Sequence, residues 1–150
     1  MAIVRLIYAS RIKPGHGPND VLKIVEVSEK NNKKMGITGA LCYGPRYFLQ
    51  CLEGPRDAVN QLYNKIITDD RHTEVELLYY DDIDERAFTD WSMGYALAQK
   101  TLNEIVFRFG GNQQFTPYNF SGKQAVRFLK AIVQERHIVL QSKVAEQTTA

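Results

Sequence analysis

The sequence predicts an α+β fold with the ferredoxin-like order βαββαββ, in which two helices lie on one face of a sheet and a helical extension follows. Segments with the two-residue period of strands alternate along the chain with segments whose apolar residues recur at helical spacing. The 150 residues are 44% hydrophobic and 24% charged, which is ordinary for a globular protein with one core. We expect a first domain at residues 1–100 and a C-terminal helical extension with a polar tail at residues 101–150.

The N-terminal residues predict a strand followed by a helix. From Ile3 to Ser10 the side chains alternate, which puts Val4, Leu6 and Tyr8 on one face. Residues 14–18 hold two prolines and two glycines and therefore predict a loop. Asn19 or Asp20 is suited to cap a helix that runs to about residue 33. One stripe of that helix consists of Val21, Ile24, Val25 and Ser28, and Asn31 and Asn32 extend it.

A β-hairpin and a second helix are predicted next. Residues 36–43 and 47–52 have strand patterns, and Gly44-Pro45-Arg46 joins them as a short turn. Gly54-Pro55 ends the hairpin, and a helix over about residues 57–68 follows. The apolar stripe of this helix is formed by Val59, Leu62, Tyr63 and Ile66. A fourth strand is predicted over residues 76–80, then an acidic turn at 81–84, a short helix, and a fifth strand over residues 93–98.

The C-terminal extension has the pattern of two helices. Residues 101–109 predict a short helix that ends at Gly110-Gly111. Ser121-Gly122-Lys123-Gln124 is a capping-box pattern at the start of a last helix, and residues 144–150 predict a frayed polar tail. The apolar stripe of the last helix is formed by Ala125, Phe128, Leu129, Ile132 and Val133. This stripe is suited either to homo-oligomerisation or to covering the open face of the sheet.

Charge, cysteine content and hydropathy exclude several function classes. Nineteen Lys and Arg against seventeen Asp and Glu give a net charge of +2, too even for a nucleic-acid footprint. Two cysteines exclude a disulfide scaffold, and the three histidines lie far apart without metal-ligand spacing. The N-terminus lacks the order of a signal peptide, and no apolar run reaches the roughly 20 residues that cross a bilayer. We therefore expect a cytoplasmic protein without metal, nucleic-acid or membrane partners.

Some polar residues do not fit an apolar core. Phe48, Gln50 and Leu52 share a strand face, so Gln50 lies inside if its two apolar neighbours do. A buried amide left without a hydrogen-bond partner costs about 1–3 kcal/mol, and the Tyr8 hydroxyl has the same requirement. Each residue alone has a simpler interpretation, such as core packing for Tyr8 or helix capping for Asn31 and Asn32. Together with Trp91 and Met93, they predict a pocket suited to a flat heteroaromatic ligand.

Six motifs in this order resemble the BLUF domain, a family of blue-light sensors that bind FAD. The motifs are Arg5-Leu6-Ile7-Tyr8-Ala9-Ser10, Asn31-Asn32, Gly36-Ile37-Thr38-Gly39, Phe48-Leu49-Gln50-Cys51-Leu52-Glu53-Gly54, Asp70-Arg71-His72 and Trp91-Ser92-Met93. They span about residues 3–98. The C-terminal region, with Phe115-Thr116-Pro117 and the helix over residues 124–131, resembles the short stand-alone members represented by the cyanobacterial PixD proteins.

The resemblance implies a role for each site residue. Tyr8 and Gln50 are the implied photoactive pair, and Trp91 and Met93 are the implied route of signal transmission. The implied cofactor-binding residues are Ile24, Ser28, Asn31, Asn32, Phe48, Gln50, Lys65, Ile66, Arg71 and His72. Among these, Asn32 would hold the pyrimidine edge of the flavin, Asn31 would approach its ribityl or phosphate side, and Ile24 and Ile66 would cover the ring faces. Lys65 and Arg71 would supply cationic contacts, although many relatives carry Arg where Lys65 stands.

We expect a flavin photoreceptor rather than an enzyme. Rotation or tautomerisation of Gln50 would exchange its hydrogen bonds between Tyr8 and the flavin, and the sequence leaves both open. Residues 101–150 are too few for a cyclase or phosphodiesterase domain, so we expect output through contact with a downstream signalling protein and homo-oligomerisation. The alternatives are a cofactor-free ferredoxin-like binding or assembly module and a small flavin-dependent oxidoreductase.

Overall fold

A five-stranded sheet forms the centre of the molecule. The computed structural model describes the backbone of residues 2–16, 20, 30–93, 99–110 and 114–148, and the side chains of these residues except 91–93, 99 and 136–148. The strands are β1 (Ile3–Ile12), β2 (Thr38–Tyr43), β3 (Tyr47–Pro55), β4 (His72–Ile83) and β5 (Trp91–Met93). Their order in the sheet is β4-β1-β3-β2-β5; β5 is parallel to β2, and the other neighbours are antiparallel. The predicted α+β, ferredoxin-like class is confirmed.

The described helices flank this sheet. Residues 30–34 are helical and are labelled α1; they are followed by α2 (Arg56–Ile67), α3 (Gln99–Gly110) and α4 (Gly122–Thr148), with a 3₁₀ turn at Pro117–Asn119. The predicted capping box is confirmed, because Ser121 N donates to Gln124 Oε1 (3.0 Å) and Gln124 N donates to Ser121 Oγ (3.2 Å). Within the described chain, no helix has the length and apolar content needed to cross a membrane.

The two faces of the sheet carry separate apolar cores. Val4, Leu6, Tyr8 and Leu52 pack with Val59 of α2 on one face, which we call the α2 face. The core of the opposite face, called the C-terminal face, includes Ile7, Ala40, Cys42, Leu49, Cys51, Leu102, Ile105, Phe128, Leu129 and Ile132. The stripe of α4 therefore covers the second face of the sheet, which is the second of its two predicted roles.

Several predicted boundaries are wrong, and the contacts explain why. Gly36 and Ile37 end α1 instead of starting β2. The predicted acidic turn is part of β4 as far as Ile83, because β1 continues to pair with it there. Residues 84–90 form no helix, since the amides of Ala87 and Phe88 donate to the Glu53 carboxylate.

Two further boundaries concern the C-terminal half of the chain. β5 begins at Trp91, two residues earlier than predicted, and its predicted continuation over residues 94–98 lies outside the described residues. The frayed tail predicted from residue 144 is wrong as far as residue 148, because α4 extends to Thr148. No Gly or Pro interrupts residues 123–148, so nothing in the sequence ends this helix earlier.

Candidate functional site

The centre of the site is a cross-strand pair on the α2 face. Tyr8 of β1 lies directly opposite Gln50 of β3 in the antiparallel register. The Tyr8 hydroxyl donates a hydrogen bond to Gln50 Oε1, and the two residues are only 5% and 6% exposed. The predicted burial of Gln50 is therefore confirmed, and its amide oxygen points toward β1. Since an amide carries its acceptor and its donors on opposite sides, this orientation turns the N–H donors of Gln50 away from Tyr8.

The surroundings of Tyr8 keep its phenol protonated. Burial raises the pKa of Tyr8 above its ordinary value of 10, and the nearby Tyr63 and Asp69 raise it further. The rings of Tyr63 and His72 contact the Tyr8 ring, with centroids at 5.8 Å and 6.3 Å. A neutral phenol that donates to a buried amide is a group that can release an electron and a proton together.

The end of α1 brings Asn32 into the interior. Ile37 N donates to Asn32 O (2.8 Å) and Gly36 N donates to Lys33 O (3.2 Å), the two hydrogen bonds of a Schellman motif. Gly36 takes the left-handed conformation that this motif needs, with φ of 75°. Gly54 lets β3 approach this turn, since a Cβ there would lie 2.8 Å from Gly36 O. Helix capping by Asn31 or Asn32, the simpler interpretation of these residues, is therefore wrong.

The side chain of Asn32 has an unfilled hydrogen-bonding capacity. Asn32 is 2% exposed, and its Oδ1 has no hydrogen-bond partner in the described part of the chain. Leaving such an acceptor unpaired costs about 1–3 kcal/mol. Ile37, five residues further on, belongs to the same core cluster as Tyr8. The orphaned oxygen therefore fits a ligand that presents an N–H or O–H donor.

His72 is held by contacts within the protein. Its Nδ1 lies 2.8 Å from Ser10 Oγ and its Nε2 lies 2.6 Å from Ile66 O. Its ring meets those of Tyr8 and Phe48 edge-on, with interplanar angles of 81° and 66°. Four of the predicted site residues, Tyr8, Phe48, Ile66 and His72, thus meet in one place.

Other predicted site residues are not part of this arrangement. Asn31, Lys65 and Arg71 are exposed, and Arg71 lies 3.7 Å from Asp69. Ile24 and Ser28 lie outside the described residues. For these five residues, a role toward the ligand stays a prediction.

Backbone register links β5 to the Tyr8–Gln50 pair. Gln50 lies opposite Leu41 of β2, and Leu41 lies opposite Met93 of β5. Tyr8, Gln50, Leu41 and Met93 thus form one row across four neighbouring strands. Trp91 lies opposite Gly39, which is in the neighbouring Leu52 row. The position of Met93 in the Gln50 row gives a direct backbone path from the pair to the edge of the sheet.

Sequence reasoning missed a second buried polar cluster, which we call the Glu53 knot. Its members are Arg5, Thr38, Glu53, Arg86 and the backbone of Ala87 and Phe88. Glu53 is fully buried and pairs with Arg5, its cross-strand neighbour, at 2.8 Å. Arg86 donates to Thr38 Oγ1, Glu53 O and Gly36 O. The sequence signal for this cluster was Glu53 itself, an acidic residue in a strand of mostly apolar residues.

The comparisons with known proteins agree with this geometry. A family model described as sensors of blue-light using FAD matches residues 3–94. The solved structure of BlsA in its photo-activated state has a TM-score of 0.76 to this chain at 32% identity, covering 87% of this chain and 94% of that one.

Two curated relatives share only part of their length with this chain. Photoactivated adenylate cyclase subunit beta of Euglena longa is 29% identical over 147 residues, which are 91% of this chain and 16% of the relative. The blue light- and temperature-regulated antirepressor BluF of Escherichia coli (strain K12) is 30% identical over 86 residues, which are 57% of this chain and 21% of the relative. The chain thus spans less than a quarter of either relative.

Proposed function

The chain belongs to the BLUF family of blue-light sensors that use FAD, and we propose that Tyr8 and Gln50 are its photoactive pair. The observation that carries this proposal is the buried hydrogen bond from the Tyr8 hydroxyl to Gln50 Oε1. It joins a phenol, which can release an electron together with its proton, to an amide that is both donor and acceptor.

The residues present fit a flavin. The orphaned Asn32 Oδ1 matches the N–H donor on the pyrimidine edge of an isoalloxazine ring, and the apolar side chains of Phe48 and Ile66 suit its flat faces. Gln50, with its N–H donors turned away from Tyr8, suits a carbonyl or ring-nitrogen acceptor. When bound, FAD supplies the absorption of blue light and a strongly oxidising excited state.

We propose that the light signal is stored as a change in the hydrogen bonds of Gln50. Tyr8 would give an electron and a proton to photo-excited FAD and take both back at the end of the step, and in darkness its raised pKa keeps the proton on the phenol. The Gln50 amide then exchanges the bond it accepts from Tyr8 for a different arrangement, by rotation or by tautomerisation. Either change replaces an acceptor with a donor at the same position, so no covalent bond to the cofactor is needed.

The proposed output is an altered contact with another protein. Met93 stands in the same row of the sheet as Gln50, which supports β5 as the element that receives the change. We assign sensing to residues 1–100 and the output surface to residues 101–150. The E. coli relative is described as an antirepressor, a role that acts through a partner protein. The described stripe of α4 is buried on the sheet, so a homo-oligomer of this chain uses other surfaces.

An absorption spectrum before and after blue light tests the photoactive pair. We expect a yellow protein whose flavin absorption shifts slightly to the red and recovers in darkness. Tyr8→Phe and Gln50→Leu should each keep bound FAD and lose the reversible shift, because each removes one end of the hydrogen bond.

Tyr63→Phe is the matched control, since it removes a hydroxyl from the ring next to Tyr8 without touching the pair. It should keep the shift. An unchanged photocycle in Tyr8→Phe or Gln50→Leu removes that residue from the proposal. A colourless protein that takes up no FAD contradicts the sensor itself and favours a cofactor-free binding module.

A further inference from the structure

We propose that His72 is a positioning residue for Tyr8 and not a ligand of the cofactor. This inference rests on the proposed role of Tyr8 and corrects the role that the family resemblance implies for His72. It follows from the way in which both ring nitrogens and the ring edge are used inside the protein.

The hydrogen bonds of His72 place a proton on its Nε2. The Ile66 carbonyl is only an acceptor, so Nε2 carries the proton that it donates over 2.6 Å. In the neutral ring Nδ1 is then an acceptor, and the Ser10 hydroxyl donates to it over 2.8 Å. Both nitrogens are thereby occupied, and the ring has no polar atom left for a ligand.

These bonds connect three elements around Tyr8. His72 is the first residue of β4, Ser10 belongs to β1, and Ile66 lies in the last turn of α2. Ser10 follows Tyr8 by two residues, so its side chain lies on the same face of β1. The imidazole is therefore fixed at a point from which its ring meets Tyr8 at 81° and a centroid distance of 6.3 Å.

The Tyr8 ring is thus confined by two neighbours. Tyr63 of α2 contacts it at 5.8 Å and His72 contacts it edge-on, while Phe48 packs against the imidazole at 6.4 Å. The hydrogen bond to Gln50 requires the phenol oxygen at one position, so it depends on a fixed side-chain conformation of Tyr8. We call His72, Ser10 and the Ile66 carbonyl the His72 brace. This brace restricts the position of the Tyr8 ring on the α2 face.

The test compares three substitutions in the FAD-loaded protein. His72→Phe keeps a ring but removes both hydrogen bonds, and Ser10→Ala removes one bond with a smaller change to the core. His72→Gln offers a donor and an acceptor again and should restore much of the function. We expect the yield of the red-shifted state per absorbed photon to fall about fivefold in His72→Phe, less in Ser10→Ala, and to recover in His72→Gln. The dissociation constant for FAD should stay within about twofold in all three.

Each outcome distinguishes this role from the others. A large loss of FAD affinity in His72→Phe and Ser10→Ala, with a normal yield in the protein that still binds, would make His72 a ligand and overturn the proposal. Loss of the shift in Tyr8→Phe together with a normal yield in His72→Phe would refute the brace and leave the photoactive pair intact. Retention of the shift in Tyr8→Phe would refute the pair itself. Glu76→Gln, an exposed change on β4, is the control and should alter neither quantity.

A spectroscopic measurement examines the brace without any substitution. ¹⁵N NMR of histidine-labelled protein should show a proton on Nε2 of His72. A ring protonated at Nδ1 alone would contradict the donated bond to Ile66 O and with it the brace.

Discussion

Two cross-strand pairs on the same two strands have opposite characters. Arg5 and Glu53 face each other across β1 and β3, and three residues further along β1 Tyr8 faces Gln50. An odd spacing in a strand puts the two pairs on opposite faces of the sheet. The first pair belongs to the Glu53 knot on the C-terminal face, and the second belongs to the candidate site on the α2 face.

The two clusters differ in how completely their polar atoms are paired. In the knot, Phe88 N donates to Glu53 Oε1 (2.7 Å), while Arg5 Nε (2.9 Å) and Ala87 N (3.0 Å) donate to Oε2. In the site, Asn32 Oδ1 is equally buried and has no partner in the described chain. A buried polar network that is complete holds a fold together, whereas one with an open position indicates where a ligand belongs.

The largest expected effect comes from breaking the knot. Glu53→Ala leaves the Arg5 guanidinium without its buried partner and two backbone amides without their acceptor. We expect the free energy of unfolding, measured by urea denaturation, to fall by about 3–5 kcal/mol. Arg56→Ala removes an exposed ion pair with Asp82 and should lower the free energy of unfolding far less, because water screens this pair. Equal losses in the two variants would mean that the knot is not a structural element.

The opposite behaviour is expected at Asn32. Asn32→Leu removes an unpaired acceptor, so loss of this oxygen should not lower the unfolding free energy of the apoprotein, while FAD binding should weaken by about 1–3 kcal/mol. Fluorescence titration with FAD and urea denaturation of the apoprotein measure the two effects separately. The exposed neighbour provides the comparison, and Asn31→Ala should weaken FAD binding less. Unchanged FAD affinity in Asn32→Leu would mean that the unpaired Asn32 Oδ1 does not bind the cofactor.

The smallest effect concerns pH and distinguishes the buried phenol from ordinary tyrosines. Because the folded-state pKa of Tyr8 is raised above 10, the unfolded chain loses this proton first, so Tyr8 stabilises the fold below pH 10 and progressively less above it. The difference in unfolding free energy between the wild type and Tyr8→Phe should therefore be constant from pH 7 to about pH 9 and decrease by up to about 1.4 kcal/mol per pH unit above 10. The buried thiols of Cys42 and Cys51 also have raised pKa values, but they are present in both proteins and cancel. A constant difference up to pH 11 would show that Tyr8 is not protected from ionisation.

Local periodicity predicted that Tyr8 and Gln50 lie inside the core, because side chains alternate strictly along a strand. Once Leu6 and Leu52 are assigned to the core, the two-residue period brings Tyr8 and Gln50 inside with no knowledge of the rest of the chain. The capping box at Ser121 could be predicted from the sequence for a similar reason, because its two hydrogen bonds join residues three positions apart. Features of this kind depend only on near neighbours in the sequence.

The His72 brace and the Glu53 knot could not be predicted from local sequence patterns. Ser10 and His72 are 62 positions apart, and Glu53 and Phe88 are 35 positions apart, so only the tertiary fold brings them together. Residues 84–90 form neither a strand nor the predicted helix, because the amides of Ala87 and Phe88 are paired with the Glu53 side chain of β3. The acidic run at residues 81–84 resembles a solvated turn in sequence, whereas residues 81–83 are a strand because they pair with β1.

The crossing of residues 84–90 limits how β5 can move. β4 and β5 are the outer strands of the order β4-β1-β3-β2-β5, so the crossing covers four strand spacings, about 19 Å at about 4.8 Å each. Midway, Phe88 is fastened to β3 through Glu53 and to β2 through Thr38. Only three Cα–Cα steps, about 10 Å when extended, then lead from Phe88 to Trp91. The short connection to Phe88 therefore restricts the displacement of Trp91, the first residue of β5. We expect β5 to rotate about Trp91, with displacements that increase toward Met93, and not to separate from β2 as a whole.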